Sequence, residues 1–175
     1  MKKTILWSLP FIALLACNQN QKPVETQSKS AEAKAQYEKN LAVFKAAVTA
    51  FENEKIDEWA ASVADNAVWH PAAYGAAVGT KEDWKKALSF YATNWDSLKL
   101  KNATFLPGMD SVTHELDGSV RYYGIWTGTH KSGVRTASPF YGSFDFNKDG
   151  KVIDATEFFD VGGLMNAVAP KSAKK

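Results

Sequence analysis

Val120–Asp160 reads VRYYGIWTGTHKSGVRTASPFYGSFDFNKDGKVIDATEFFD, a pattern that predicts three long strands in succession. They are Val120–Thr129, Val134–Asn147 and Lys151–Phe159, joined by His130-Lys131-Ser132-Gly133 and Asn147-Lys148-Asp149-Gly150. Both joints supply the Gly and Asp that tight hairpins use where the backbone turns left-handed. The strands therefore form a curved antiparallel sheet with one buried face. On the first strand Tyr122, Gly124 and Trp126 share a parity less polar than that of Arg121, Tyr123, Ile125 and Thr127, so Tyr122 and Trp126 should point inward. The second strand should turn Phe140, Gly142, Phe144 and Phe146 inward, and the third Ile153, Ala155, Glu157 and Phe159.

Upstream the period changes from two to about 3.6. Tyr37, Leu41, Phe44, Val48 and Phe51 mark one face of a helix ending near Asn53 or Glu54. A short second helix, with Asp57 as its expected cap, carries Ile56, Trp59 and Val63. Ala67-Val68-Trp69-His70 reads as a short strand stopped by Pro71. Thr80 and Asp83 form a capping-box pattern before a third helix, whose inner face is Trp84, Leu88, Tyr91 and Trp95. Leu98–Phe105 alternates as a half-exposed strand that Pro107-Gly108 should end, and Ser111–Glu115 should be another. Helices followed by a run of strands indicate an α+β fold.

The 175 residues suit one domain, and six Trp, six Tyr and ten Phe suffice for a real core. Lys2 and Lys3, then the apolar run Ile5–Ala16, have the form of a signal peptide over residues 1–16. About a dozen apolar positions fall short of the roughly 20 that a membrane span needs. Without Lys2 and Lys3 the chain carries 19 basic and 19 acidic residues, so nothing in its charge calls for nucleic acid. Leu14-Leu15-Ala16-Cys17 resembles a bacterial lipobox, which implies a lipid on Cys17, the single cysteine. Asn18-Gln19 stand where an Asp would resemble an inner-membrane retention signal, so the resemblance implies the outer membrane, facing the periplasm. Residues 17–36 are polar and without periodicity, a tether by composition. Residues 37–168 would be the domain and 169–175 a frayed tail.

Ala64-Asp65-Asn66-Ala67-Val68-Trp69-His70-Pro71, then Gly79-Thr80-Lys81-Glu82-Asp83-Trp84, then Asp149-Gly150-Lys151-Val152-Ile153 and Glu157-Phe158-Phe159-Asp160 resemble, in order and spacing, the SnoaL-like branch of the nuclear transport factor 2-like superfamily. The resemblance spans about Tyr37 to Val168 and implies a cone: a bent sheet around a long helix, with a pocket between them. The branch includes ketosteroid isomerases, polyketide cyclases, epoxide hydrolases, dehydratases and non-catalytic modules, so fold alone leaves the function open.

Two residues are candidates for catalysis. His70 stands where the isomerases place a carboxylate just before a Pro, and an imidazole can also act as a base near neutral pH. Glu157 is placed inward by strand parity and matches an Asp of the epoxide hydrolases, though the Arg of their ending is absent: Thr156 stands before Glu157. Tyr74, Trp84, Tyr91, Tyr122, Trp126, Phe140 and Phe144 are candidates to line an apolar ligand pocket. Asp160 should cap a last turn around Gly162-Gly163-Leu164-Met165. Asp145–Gly150 matches half of a calcium loop but lacks the bidentate Glu at its twelfth position, so a hairpin is favoured. His70, His114 and His130 show no metal-ligand spacing, and no cofactor signature is present. The expected partners are a small apolar ligand, the membrane through the N-terminal lipid, and a second copy across the outer sheet face. An acid–base enzyme using His70 and Glu157 is the alternative to simple binding.

Overall fold

The structure, a computed structural model, describes residues 24–170, with side chains from residue 29 onward. The expected signal peptide, Cys17 and the Lys-rich end from Lys171 lie outside the described residues. Helix α1 runs Val24–Glu52, so 24–36, expected as a tether, are helical. A segment of Ala, Lys, Glu and Gln has good intrinsic helix propensity without an apolar stripe, and periodicity alone cannot detect it. Farther along, α1 buries Phe44, Ala47, Ala50 and Phe51. Asn40 is buried too, and its Nδ2 donates to Gly118 O at 2.8 Å, a bond from helix to sheet that apolar periodicity could not indicate.

Helix α2 (Ile56–Ala61) has no side-chain cap. Asp57 instead lies in its first turn and pairs with Lys85 Nζ at 2.8 Å. Strands β1 (Val63–His70) and β2 (Gly79–Thr80) lead to α3 (Lys81–Asn94). Helix α3 opens on the complete Thr80–Asp83 capping box and buries Trp84. Four strands follow, β3 (Trp95–Met109), β4 (Leu116–His130), β5 (Arg135–Phe146) and β6 (Val152–Phe158), and then α4 (Val161–Val168). Asp160 caps α4, its Oδ1 accepting from Gly163 N at 2.7 Å.

The six strands form one sheet in the order β2-β1-β6-β5-β4-β3. Its neighbours are antiparallel except β1 and β6, which run parallel. Both expected hairpins are present, with Gly133 at φ 84° and Gly150 at φ 73°. In the second, Asn147 Oδ1 accepts from the N–H groups of Asp149 and Lys151, both at 3.0 Å. Pro107-Gly108 does not end β3, for Pro107 pairs with Val120 and Met109 with Leu116. Because β3 is an edge strand, a Pro there costs no ladder bond. Ser111–Glu115, expected as a strand, belongs to the turn between β3 and β4. There Asp110 Oδ1 accepts from Val112 N and Thr113 N.

The curvature arises at register shifts along β3, where Ser97 and Asn102 take φ of 57° and 53°. Bulges of this kind bend a strand. Glu52, at the end of α1, accepts from Leu100 N at 2.8 Å and from Lys99 Nζ at 3.1 Å, holding the helix against the bent edge. The fold is thus α+β, with N-terminal helices packed in the hollow of a curved sheet.

Candidate functional site

The hollow is not filled. A cavity of about 270 Å³ lies between α1, α3 and the inner sheet face, with α4 at one side. Strand alternation decides which side chains reach it. On β4 it sends Tyr122 and Trp126 inward, and on β5 Thr136, Ser138, Phe140 and Phe144. Gly142 shares that inner parity, and a Cβ there would come within 2.6 Å of the Phe144 ring and 2.8 Å of the Phe140 ring. Its bareness lets the two rings lie close to the strand. From α3 come Trp84 and Tyr91, and from α1 Phe44 and Phe51.

Of the seven residues expected to line a pocket, Trp84, Tyr91, Tyr122, Trp126, Phe140 and Phe144 do so. Tyr74 does not: it is fully exposed in the loop after β1, where Gly75 turns the chain at φ 73°.

Glu157 on β6 is the acid of the cavity wall. Its Oε1 accepts from Trp84 Nε1 at 3.0 Å. The residue is half-buried, crowded by protein on its sheet side and lining the hollow on the other. Desolvation pushes its pKa up from 4.5 to about 7, against the opposing pull of the indole N–H groups of Trp69 and Trp84. Trp69 Nε1 is buried and makes no hydrogen bond of good geometry, yet it lies near enough for the carboxyl to feel its dipole. Glu157 can therefore gain or lose a proton near neutrality, as an acid–base group must.

Two phenols share the wall. Burial pushes Tyr91 up to about 12, with a smaller contribution from Glu157, and it raises Tyr122 further still. Both stay protonated at neutral pH. Tyr122 Oη accepts from Trp126 Nε1 at 3.0 Å, which leaves its own proton to be donated. Thr136 Oγ1 accepts from Trp95 Nε1 at 3.0 Å, so one polar rim position is already committed.

His70 is not in the cavity. Ala67 and Trp69 take the inward parity of β1, which turns Val68 and His70 to the outer face. There His70 Nε2 lies 3.4 Å from Asp154 Oδ2, both side chains 41% exposed. His70 and Glu157 are thus on opposite sides of the sheet, and the expected acid–base pair is not assembled. The position before Pro71, by which His70 resembles the isomerase carboxylate, falls on the outer side of β1 in this chain. Trp69, adjacent to His70, is the member of β1 that lines the cavity, and the size of its side chain was the available signal. Val161 and Leu164 of α4 also line it and could not be assigned before the last helix was placed. Among the described residues, no three His, Cys, Asp or Glu side chains converge as metal ligands would.

Solved structures share this architecture. A candidate polyketide cyclase of Xanthomonas campestris pv. campestris superposes with a TM-score of 0.62 at 14% identity, over 77% of this chain and 99% of its own. BvnE pinacolase from Penicillium brevicompactum gives 0.59 at 15% identity, over 74% and 91%. A Catenulispora acidiphila protein with a ketosteroid isomerase-like fold, solved in complex with trimethylamine, gives 0.58 at 10% identity, over 76% and 96%. No family model and no curated protein matches the chain. At these identities the likeness is one of fold, that of the ketosteroid isomerase-like, nuclear transport factor 2-like proteins.

Proposed function

We propose, with that cone as the premise, that the domain holds a small, largely apolar molecule in its cavity and meets the molecule's polar end with Glu157. The observation that carries this reading is a carboxyl set into an aromatic wall beside an open volume of about 270 Å³. Burying an acid without a cation is costly, and a folded chain keeps such a group where binding or proton exchange offsets the cost. Fold neighbours that include a trimethylamine complex support small-molecule binding in general terms. Where the ligand offers an acidic C–H or a basic oxygen, Glu157 is the group that exchanges the proton, with Tyr91 and Tyr122 as neutral donors. His70 has no part in such a step.

The test is native mass spectrometry of the protein purified from its own host. A retained small molecule, lost in the cavity-filling variant Ala87→Phe, is the expected result. A ligand-free protein that binds no apolar compound in a screen would remove the reading.

A second reading concerns the outer sheet face. Tyr123, Tyr141 and Phe158 stand side by side across β4, β5 and β6, with Tyr123 47% and Phe158 56% exposed. The row supports pairing of two copies through this face, and sedimentation of Phe158→Lys as a monomer against an unmodified dimer is the expected outcome. An unmodified protein that sediments as a monomer ends this reading.

We also propose that Cys17 carries a lipid that anchors the protein in the outer membrane, facing the periplasm. Labelling with a palmitate analogue, lost in Cys17→Ser, checks the lipid, and membrane fractionation checks the location.

A further inference from the structure

The cavity's charge is one-sided. Among the described residues its lining includes Glu157 and many aromatic rings but no Lys, Arg or His. An anionic ligand would find no counter-charge there and would face the carboxyl. Some rings of the wall lie near parallel, as Trp69 with Trp84 at an interplanar angle of 10°, Trp84 with Phe144 at 13° and Tyr122 with Phe140 at 18°, while others meet edge-on, as Phe51 with Trp126 at 70° and Trp59 with Trp84 at 85°. The faces of such rings carry partial negative charge. Glu157 accepts a single hydrogen bond of good geometry, from Trp84 to Oε1, and no protein cation pairs with it. The site has an acid and aromatic rings to meet a cation, and among the described residues no side-chain cation beside them.

We propose that the ligand is itself a cation: an apolar amine or ammonium compound whose charged end rests against Glu157 and the surrounding rings, with its hydrocarbon body in the rest of the cavity. This deepens the reading of the cavity as a ligand site and rests on it. A neutral ligand gains apolar burial from the same walls, but a cation gains the ion pair and the ring faces as well.

Proton linkage makes the proposal measurable. The titratable groups facing Glu157 are Tyr91 from α3 and Tyr122 from β4, both protonated through the neutral range. Among the described residues, the cavity faces of α1, α2, β1, β3, β5, α4 and the loop 71–73 bring no titratable group. Since burial holds Glu157 near 7, a bound cation must displace its proton at lower pH. Affinity for the cation then falls by up to about tenfold for each pH unit below that point. An uncharged hydrocarbon, which offers Glu157 no polar end, lacks this loss of affinity at low pH.

The experiment compares benzyltrimethylammonium with its uncharged carbon isostere, neopentylbenzene, by tryptophan fluorescence across a pH series. The expected result is binding of the cation at least about tenfold tighter near pH 8, an advantage that shrinks below about pH 7 and disappears in Glu157→Gln. The pH series on the unmodified protein carries the test even where the variant fails to fold. Equal binding of the two compounds overturns the cationic ligand and leaves the apolar cavity standing. Failure of both, in a protein that also retains no molecule from its host, overturns the cavity reading itself.

Discussion

Glu157→Gln removes the ionisable group of the cavity while keeping an oxygen that Trp84 Nε1 can reach, and its effect should depend on pH in a way the structure specifies. In the unfolded chain the carboxyl titrates near 4.5, and in the folded one at about 7. At about 1.4 kcal/mol per unit, that difference is worth about 3 kcal/mol. The folded protein holds the proton more tightly, so the unmodified protein loses stability as pH rises from 4.5 to 7, and the loss is complete above that window. Gln does not titrate. Relative to the unmodified protein, the variant should therefore gain about 3 kcal/mol between acid and mildly alkaline pH, whatever constant offset the substitution brings. Urea unfolding of both proteins at about pH 4 and about pH 8 measures this, because every other carboxylate cancels in the comparison. Stability differences that stay the same at both pH values would refute the claim that Glu157 is held neutral by burial.

Trp84→Phe deletes the hydrogen bond at 3.0 Å to Glu157. The carboxyl should then titrate above 7, as read by its ¹³C shift, with a stability cost of about 1–3 kcal/mol that is larger at high pH, where the acid is charged. Asn40→Ala leaves Gly118 O without its buried donor and should cost about 1–3 kcal/mol in chemical denaturation. His70→Ala should change stability by no more than about 0.5 kcal/mol and leave any bound ligand in place, since its partner Asp154 is as exposed as His70 itself. Loss of ligand in that variant, seen by native mass spectrometry, would return His70 to the site.

The parts of the site that could be read from the chain were those governed by local period. The two-residue alternation on Val120–Asp160 assigned Tyr122, Trp126, Phe140, Phe144 and Glu157 to the inner face, and each lines the cavity. The helical spacing of Trp84 and Tyr91 did the same for α3. His70 was placed by its resemblance to the isomerase carboxylate before a Pro, because its own segment is too short to establish a phase. Ala67-Val68-Trp69-His70 offers only two residues of each parity, and it is the parallel pairing of Trp69 with Ala155 and of His70 with Thr156 that sets the phase. Tyr74 failed for another reason: it lies in a loop with no periodicity, where an aromatic side chain carries no directional signal.

The amino-acid sequence by itself determined the α+β order of elements, both hairpins, the Thr80–Asp83 cap and the inward face of β4, of β5 and of Ala155 and Glu157 on β6, because each is a local matter of period, turn chemistry or capping, whereas a register shift at the start of β6 buries Val152 in place of the expected Ile153. Tertiary structure decided the register of β1 beside β6, the continuation of β3 past Pro107, the buried bond from Asn40 to Gly118 and the joining of Glu157 to Trp84 across 73 residues. Those depend on which surfaces meet once the sheet bends around α1. The raised pKa of Glu157 belongs with them, since desolvation arises only when distant aromatic residues close over the carboxyl.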